Sequence, residues 1–311
     1  DVQRSVLALT MNRCAQTLAD HCIRGLATYL GQCGPIQIDR LTFNSSLKYL
    51  LINERKISIE ISAPNRFEAY EGDHGLVVPN GPAISEARLS DFILGSARVR
   101  KQYEAVLRMK DERGVPAAWL LVSAYYCAYF ACIELCKLVD RISVSFEPEE
   151  LGSLKYKAVG KDHAAFFASG QMNFVGAEHA GKLVFNAVGA KPHAAAWSNA
   201  LIAMRHVFAG KGWPDAGHYI AMLEDVDCSP SKIRNTWNYR RSDYFGKLGE
   251  SEAREFRSLI GNHKGATAWL DRKKGKTKPL DPCGVAVLCE VLSSAVSDAG
   301  QRAGVLISQA G

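Results

Sequence analysis

The chain of 311 residues lacks the short motifs that mark several common enzyme classes. It contains no HExxH motif for zinc, no GxSxG nucleophile elbow and no CxxC pair. Metalloproteases and serine hydrolases of the α/β type therefore have no support in the sequence. We predict that the protein binds no metal and needs no cofactor.

Long apolar runs and secretion signals are also missing. No stretch reaches the roughly 18 uninterrupted apolar residues of a membrane span, and the best candidate, Val285 to Leu292, is interrupted by Glu290. The opening residues DVQRSVLALT have neither a basic segment nor a cleavage signature. The 9 cysteines are odd in number, which argues against a secreted disulfide framework. We predict a soluble cytoplasmic protein with buried cysteines and no membrane partner.

The charge balance is mild, with 38 basic against 32 acidic residues and a net charge of +6. Such a balance permits a polyanionic partner without requiring one. The basic residues are grouped in RVRK at 98–101, around Arg234, and in the run 271–278. Lys273 and Lys274 in that last run are candidate phosphate contacts. A solvated loop is the alternative for the same run.

The apolar pattern predicts a mainly α protein with two parts. Residues 1–82 have the pattern of an N-terminal helix over 2–31 and a β-rich section, in which RKISIEIS alternates with the period of a strand. Residues 83–311 have the pattern of a helical domain with long helices over 85–113 and 117–141 and an irregular insertion at about 142–228. The turn residues at 79–82 mark the boundary between the two parts.

One segment matches the letters of a phosphate-binding GxxxxGK loop, from Gly176 to Lys182. Leu183 stands where that loop needs a serine or threonine to hold magnesium. A chance match is therefore the favoured interpretation, and nucleotide binding at this segment is kept as a minor hypothesis.

The segment SKIRNTWNYRRSDYFGKL, from Ser231 to Leu248, is the most distinctive of the chain. Its spacing predicts one helix with a core-facing stripe of Ile233, Trp237, Tyr244 and Leu248. An adjacent stripe holds Arg234, Asn238 and Arg241. Arginine beside amides and tyrosine rings can bind phosphate and contact ribose or base. Ion pairs with carboxylates of neighbouring helices are the alternative role for the arginines.

Two helices together resemble the HEPN family, the higher eukaryote and prokaryote nucleotide-binding fold. The first is SAYYCAYFACIELCKL, from Ser123 to Leu138, and the second begins at Ile233-Arg234-Asn235 and ends in Arg241-Ser-Asp-Tyr244. The resemblance covers about 60 of the 311 residues. It implies an all-α bundle that dimerises, and many members of the family are metal-independent endoribonucleases of toxin-antitoxin, CRISPR and phage-defence systems.

The resemblance also implies roles for particular residues. It makes Arg234, Asn235 and Tyr239 catalytic candidates and places RNA contacts at Asn238, Arg240 and Arg241. The histidine that the family carries with four to six residues between it and its arginine is absent, and Tyr239, Arg240 and Arg241 occupy its window. Metal-free RNA cleavage needs a base for the ribose 2′-OH, which arginine cannot supply. Arg257 and His263 have the family spacing and form an alternative dyad.

Two functions follow as expectations. The first is a HEPN-like endoribonuclease or RNA-binding effector of a bacterial defence or toxin-antitoxin system. The second is a catalytically inactive HEPN-like subunit that dimerises or acts as a scaffold in a larger complex. The missing histidine motivates the second.

Overall fold

The computed structural model describes residues 11–33, 35–72, 76–78, 81–138, 141–189, 191–276 and 278–310. Its α-helices, numbered in chain order, are α1 (Arg13–Leu30), α2 (Leu47–Asn53), α3 (Pro82–Asp111), α4 (Ala117–Lys137), α5 (Pro148–Lys157), α6 (His163–Ala168), α7 (Pro192–Phe208), α8 (Pro214–Glu224), α9 (Pro230–Asn235), α10 (Lys247–Glu252), α11 (Arg254–Leu259), α12 (His263–Lys273) and α13 (Cys283–Ala310). Proline occupies the first turn of α5, α8 and α9, where its missing N–H costs no helical hydrogen bond.

The strands form one mixed sheet of six strands in the order β3-β5-β6-β2-β1-β4. Their bounds are β1 (Ile57–Ala63), β2 (Arg66–Glu71), β3 (Ile142–Ser145), β4 (Ala158–Val159), β5 (Asn173–His179) and β6 (Lys182–Ala187). The protein is 67% helical and 11% strand. The prediction of a mainly α, HEPN-like bundle is therefore wrong, since the fold is helical with a sheet-containing part.

The predicted irregular insertion at about 142–228 is the source of this error. It supplies four of the six strands, from β3 to β6, and the sheet also includes the two strands of the predicted β-rich section. Strands β5 and β6 have 7 and 6 residues and form a local hairpin. Strands β3 and β4 have only 4 and 2 residues, and β3 pairs with β5 across the intervening α5, β4 and α6. Period-2 patterning is hard to detect over two to four residues, because such strands are stabilised by distant partners rather than by their own sequence.

Contacts between Cα atoms divide the chain into two units, each built from three segments. The first unit comprises residues 1–21, 96–135 and 196–299, and the second comprises 22–95, 136–195 and 300–311. The predicted boundary at residue 82 lies within the second unit and coincides with the first residue of α3.

The second unit has its core on one face of the sheet. Ile57, Ile59 and Ile61 alternate along β1 and are buried together with apolar residues of α2, α5 and α6. Phe67 of β2 stacks on Phe185 of β6 with ring centroids 4.6 Å apart. The RKISIEIS alternation therefore predicted the strand β1 correctly.

The GxxxxGK segment forms the hairpin between β5 and β6 rather than a phosphate loop. Ala180 and Gly181 occupy the turn with φ of 51° and 78°, the positive values that a tight hairpin turn requires. A Cβ on Gly176 would lie 2.4 Å from the Phe185 ring, so this glycine is needed for packing of the sheet. Because a strand and not a helix follows Lys182, no helix N-terminus is available for phosphate.

Two helical stretches of the described chain are strongly apolar. By length and composition alone α4 and the range Cys283–Gln309 of α13 could cross a membrane, yet 67% and 78% of their most apolar windows are buried in the protein. Core helices of soluble proteins have the same properties. The search for an uninterrupted apolar run in the sequence missed both helices, because single polar residues such as Ser123 and Glu290 interrupt their apolar stretches. The 9 cysteines, all within the described residues, form no disulfide, and all but Cys33 are buried, as predicted.

Candidate nucleic-acid interface

The segment Ser231–Leu248 is not the single helix that its sequence predicts. Helix α9 ends at Asn235, a π-helical turn spans Thr236–Arg240, and a 3₁₀ turn spans Ser242–Phe245 before α10 begins. The amide of Arg241 donates to the carbonyl of Thr236 at 3.0 Å, which is the five-residue spacing of a π turn. The predicted core stripe therefore holds for Ile233 and Trp237, which are buried, while Leu248 is 43% exposed.

The π turn brings Tyr239 back to Arg234. In a regular α-helix two residues five apart point about 140° away from each other. Here Nη1 of Arg234 donates to the hydroxyl of Tyr239 at 3.4 Å, and the guanidinium lies 5.6 Å from the centre of its ring. Such turns occur frequently at functional sites. The local backbone therefore arranges two of the three predicted catalytic candidates side by side.

Arg234 is a buried cation surrounded by rings, with 7% of its surface exposed. Its guanidinium carbon lies 5.0 Å from the ring centre of Tyr125 and 5.4 Å from that of Tyr126, both in α4. We refer to Tyr125, Tyr126 and Tyr239 as the tyrosine cluster. Tyr125 is itself fixed by hydrogen bonds with Ser231 and Trp197.

No carboxylate in the described part of the chain pairs with Arg234, and its Nε has no hydrogen-bond partner there. Burying a charge costs several kcal/mol even after relaxation. A cation over a desolvated ring recovers about 2 kcal/mol. The tyrosine cluster thus offsets part of the cost, and an anion that approached the guanidinium would supply the missing partner.

Tyr126 of the tyrosine cluster also belongs to an aromatic stripe on α4. Trp119, Tyr126 and Phe130 are spaced so that they lie within about 40° of one another around the helix, with rises of about 10 and 6 Å between them. Arg98 of α3 covers Phe130 at 3.9 Å, as Arg234 covers Tyr126. Trp119 is 50% exposed and contacts Phe245 edge-on at 5.9 Å. We call Trp119, Tyr126 and Phe130 the aromatic stripe.

The other candidates of the segment have different surroundings. Asn235 and Asn238 are half-buried, and Arg240 is exposed. Arg241 pairs with Asp243 at 2.6 Å, and this hydrogen bonding raises the pKa of Arg241. The expected ion-pair alternative therefore applies to Arg241, although its partner lies two residues away rather than on a neighbouring helix.

Lys273 and Lys274 lie at the end of α12. Lys273 lies 5.7 Å from the ring of Trp269, and Lys274 adopts a left-handed conformation that ends the helix. No contact among the described residues joins either lysine to the tyrosine cluster. Their role as phosphate contacts stays a prediction.

Arg257 of the alternative dyad stabilises the link between α3 and α4 through hydrogen bonds. Its guanidinium donates to Glu250 at 3.2 Å, to the carbonyl of Lys110 at 3.4 Å and to the carbonyl of Val115. These contacts occupy its donors within the protein. Arg257 therefore has a structural role in this conformation.

His263 belongs to a separate buried cluster around Glu290. The carboxylate accepts from Nδ1 of His263 at 2.8 Å, from the hydroxyl of Tyr103 at 2.7 Å and from the amide of Gly261 at 2.9 Å. Burial and the nearby carboxylate raise the pKa of Tyr103. Arg257 and His263 thus contact different partners, and no contact in the described part of the chain joins them.

Sequence reasoning missed the contribution of α4 to the site. The helix was recognised by its small and aromatic residues, but the seven- and eleven-residue spacing from Trp119 to Tyr126 and Phe130 was not used. That spacing is the signal of a one-sided stripe. The contact of Arg98 with Phe130 depends on tertiary packing and has no local signal.

Comparison with known proteins adds no relative. No family model matches the chain, and neither does any curated protein or any solved structure. Among the described residues no group of three or more His, Cys, Asp or Glu side chains could hold a metal ion. The functional conclusion therefore has to come from side-chain chemistry, above all from Arg234 and the rings around it.

Proposed function

We propose that the protein binds single-stranded RNA at Arg234 and the aromatic stripe, as a cytoplasmic effector of a bacterial defence or toxin-antitoxin system. The observation that carries this proposal is the buried guanidinium of Arg234, which has rings on its sides and no carboxylate partner in the described part of the chain. A backbone phosphate matches the planar donor fork of arginine.

The aromatic residues favour a single strand over a duplex. Sequence-tolerant binding of unpaired RNA uses rings on which bases stack, next to positive charge that follows the backbone. Tyr239 and Trp119 are 70% and 50% exposed, so both offer a free ring surface. The pattern shared with HEPN proteins, in SAYYCAYFACIELCKL and in the Arg234 segment, supports RNA as the polyanion.

Binding without cleavage is the form of this function that the site supports best. Cleavage needs a general base beside the ribose 2′-OH, and a tyrosine hydroxyl is a weak base at neutral pH. His263, the histidine of the alternative dyad, is engaged with Glu290. Arg234 can bind phosphate and stabilise its charge, which suits a binding residue.

The test compares Arg234→Lys and Arg234→Met with the wild-type chain in fluorescence-anisotropy titrations of single-stranded RNA of about 12 nucleotides. We expect Arg234→Met to weaken binding at least about 10-fold and Arg234→Lys to have an intermediate effect, because lysine keeps the charge but loses the planar fork. The matched control is Lys232→Ala. It removes a positive charge that lies two residues before Arg234 and forms an exposed ion pair with Asp227.

Two results would overturn the proposal. One is a wild-type chain that binds no RNA even at low salt, which would leave the scaffold function as the better explanation. The other is equal binding by Arg234→Met and wild type. Cleavage of the RNA by wild type, abolished in Arg234→Met, would correct the proposal from binding to catalysis.

A further inference from the structure

The first unit has an open, basic groove that the aromatic stripe does not include. It has a volume of about 680 Å³ and is lined by Lys110, Lys247, Glu250, Arg254 and Arg257 together with two serines. Four basic side chains therefore face one carboxylate. We call this the basic groove.

The inner wall of the basic groove is built by Glu250 and Arg257. One carboxylate oxygen of Glu250 accepts the amide of Ala117 at 2.7 Å, and the other accepts Nε of Arg257 at 3.2 Å. Nζ of Lys110 donates to the carbonyl of Ile260 at 2.6 Å. Glu250, the only carboxylate among the described residues of the lining, is thus already hydrogen-bonded within the protein, which leaves the remaining cations unneutralised.

Lys247 and Arg254 are these remaining cations. Both are exposed at the groove, and neither has an ion pair or hydrogen bond from its side chain in the described part of the chain. No aromatic residue lines the groove. A ligand would therefore be held here by charge and hydrogen bonding rather than by stacking, which is the mode of phosphate and sugar contacts.

The basic groove adjoins the first ring of the aromatic stripe. Glu250 caps the beginning of α4 at Ala117, only two residues before Trp119. Phe245, which contacts Trp119, lies two residues before Lys247, the first residue of α10. From Ala117 to Phe130 the helix rises about 20 Å, which is the distance that one strand would have to span to reach both the basic groove and Phe130.

We propose that the basic groove binds backbone phosphates at one end of the bound RNA, with Lys247 and Arg254 as the phosphate contacts. This inference rests on the proposed function, since it extends the RNA from the aromatic stripe into the groove. Bases contact Trp119 and Tyr239, and the phosphates beyond Trp119 enter the groove. The substrate class is thus a single strand long enough to reach both features.

The test is the double variant Lys247→Ala/Arg254→Ala, titrated with the same single-stranded RNA at several salt concentrations. Each phosphate contact on a single strand contributes about 0.7 to the slope of log K against log salt. We expect the magnitude of this slope to decrease by about 1.4 and the affinity at low salt to decrease at least about 10-fold. The matched control is Lys232→Ala/Arg272→Ala, which removes two charges paired with Asp227 and Glu255 outside the groove.

The outcomes separate this inference from the proposed function. If wild type binds RNA and Arg234→Met weakens it, but the groove variant has the slope and affinity of wild type, the groove inference is wrong and the proposed function stands. A slope reduced equally by the control variant would also overturn the inference, because net charge alone would explain it. If wild type binds no RNA, both fall together.

Discussion

Arg234 is buried but has no carboxylate partner in the described part of the chain, and this combination distinguishes a binding residue from a structural one. Arg88 in the second unit provides the contrast, because it is also buried, at 2% exposed, but pairs with Glu178 at 2.8 Å. Removal of a structural arginine lowers the stability of the protein. Removal of a binding arginine that has no carboxylate partner within the described part of the chain should lower the stability of the protein little or not at all.

We expect Arg234→Met to keep or raise the stability of the protein, by up to about 1 kcal/mol, because replacing a buried unpaired charge with an apolar side chain of similar size removes a desolvation cost. Arg88→Met should destabilise by about 1–3 kcal/mol, since it leaves Glu178 without this partner. Chemical denaturation of both variants measures the two changes. A destabilisation by Arg234→Met as large as that of Arg88→Met would assign Arg234 a structural role.

Lys157 in the second unit gives a pH-dependent prediction. Its Nζ donates to the carbonyl of Leu51 at 2.9 Å and to that of Glu54, and burial lowers the pKa of Lys157 to about 8. In the unfolded chain a lysine titrates near pH 10.4. The folded state therefore binds fewer protons between these values, and stability from this group is present above pH about 10.4 and lost as pH falls towards about 8.

We accordingly expect the free energy of unfolding of wild type, relative to Lys157→Met, to rise as the pH increases from about 8 to about 10.4. Denaturant titrations over that range measure it. The control is Lys155→Met, an exposed lysine on the same helix, whose difference from wild type should stay constant. A constant difference for Lys157→Met as well would contradict the prediction.

At the scale of elements, the π turn over Thr236–Arg240 determines which side chains meet. It adds one residue to the helical repeat and thereby brings Tyr239 onto Arg234. Without it the pattern of the segment would continue as the helix that its sequence predicts. The turn is thus a local departure from propensity at the place where the candidate site lies.

Deleting Asn238 from the π turn should convert it to α-helical spacing. We expect Tyr239, which then lies four residues after Arg234, to stay on the same face, RNA affinity to stay within about 2-fold of wild type and stability within about 1 kcal/mol, because residues four apart are neighbours on an α-helix and α-helical hydrogen bonds replace π-helical ones. Asn238→Ala is the matched control, since it keeps the spacing. A loss of RNA affinity in the folded deletion variant that Asn238→Ala does not share would show that the π turn contributes more to binding than the placement of Tyr239 beside Arg234.

The same elements show what could be predicted from sequence. The long helices over 85–113 and 117–141 are found as α3 and α4, and RKISIEIS is found as β1. These elements have strong local periodicity. Strands β3 and β4 and the π turn were missed because pairing over long distances and packing against α4 decide them. Strands β5 and β6 form a local hairpin, but Gly176 and the polar residues near its turn weaken the apolar alternation of the segment. Of the predicted helix over 2–31, residues 13–30 are helical, and residues 1–10 lie outside the described part.

At the scale of the whole molecule, the two units differ in the chemistry that they offer. All residues of the aromatic stripe, the tyrosine cluster and the basic groove belong to the first unit. In the second unit, by contrast, Arg88 and Lys182 are paired with carboxylates at 2.8 and 2.9 Å. Paired cations contribute little attraction for a polyanion. RNA binding should therefore be a property of the first unit.

Hydrogen exchange with and without saturating single-stranded RNA tests this assignment across the chain. A ligand at 100 times its dissociation constant stabilises the state that binds it by about 2.7 kcal/mol, and amides in the bound elements should exchange more slowly. We expect protection in 117–130 and 234–254 and none in the sheet segments 57–71 and 173–187, with the protection absent in Arg234→Met. Protection centred on the sheet would move the RNA site to the second unit and contradict the role of Arg234.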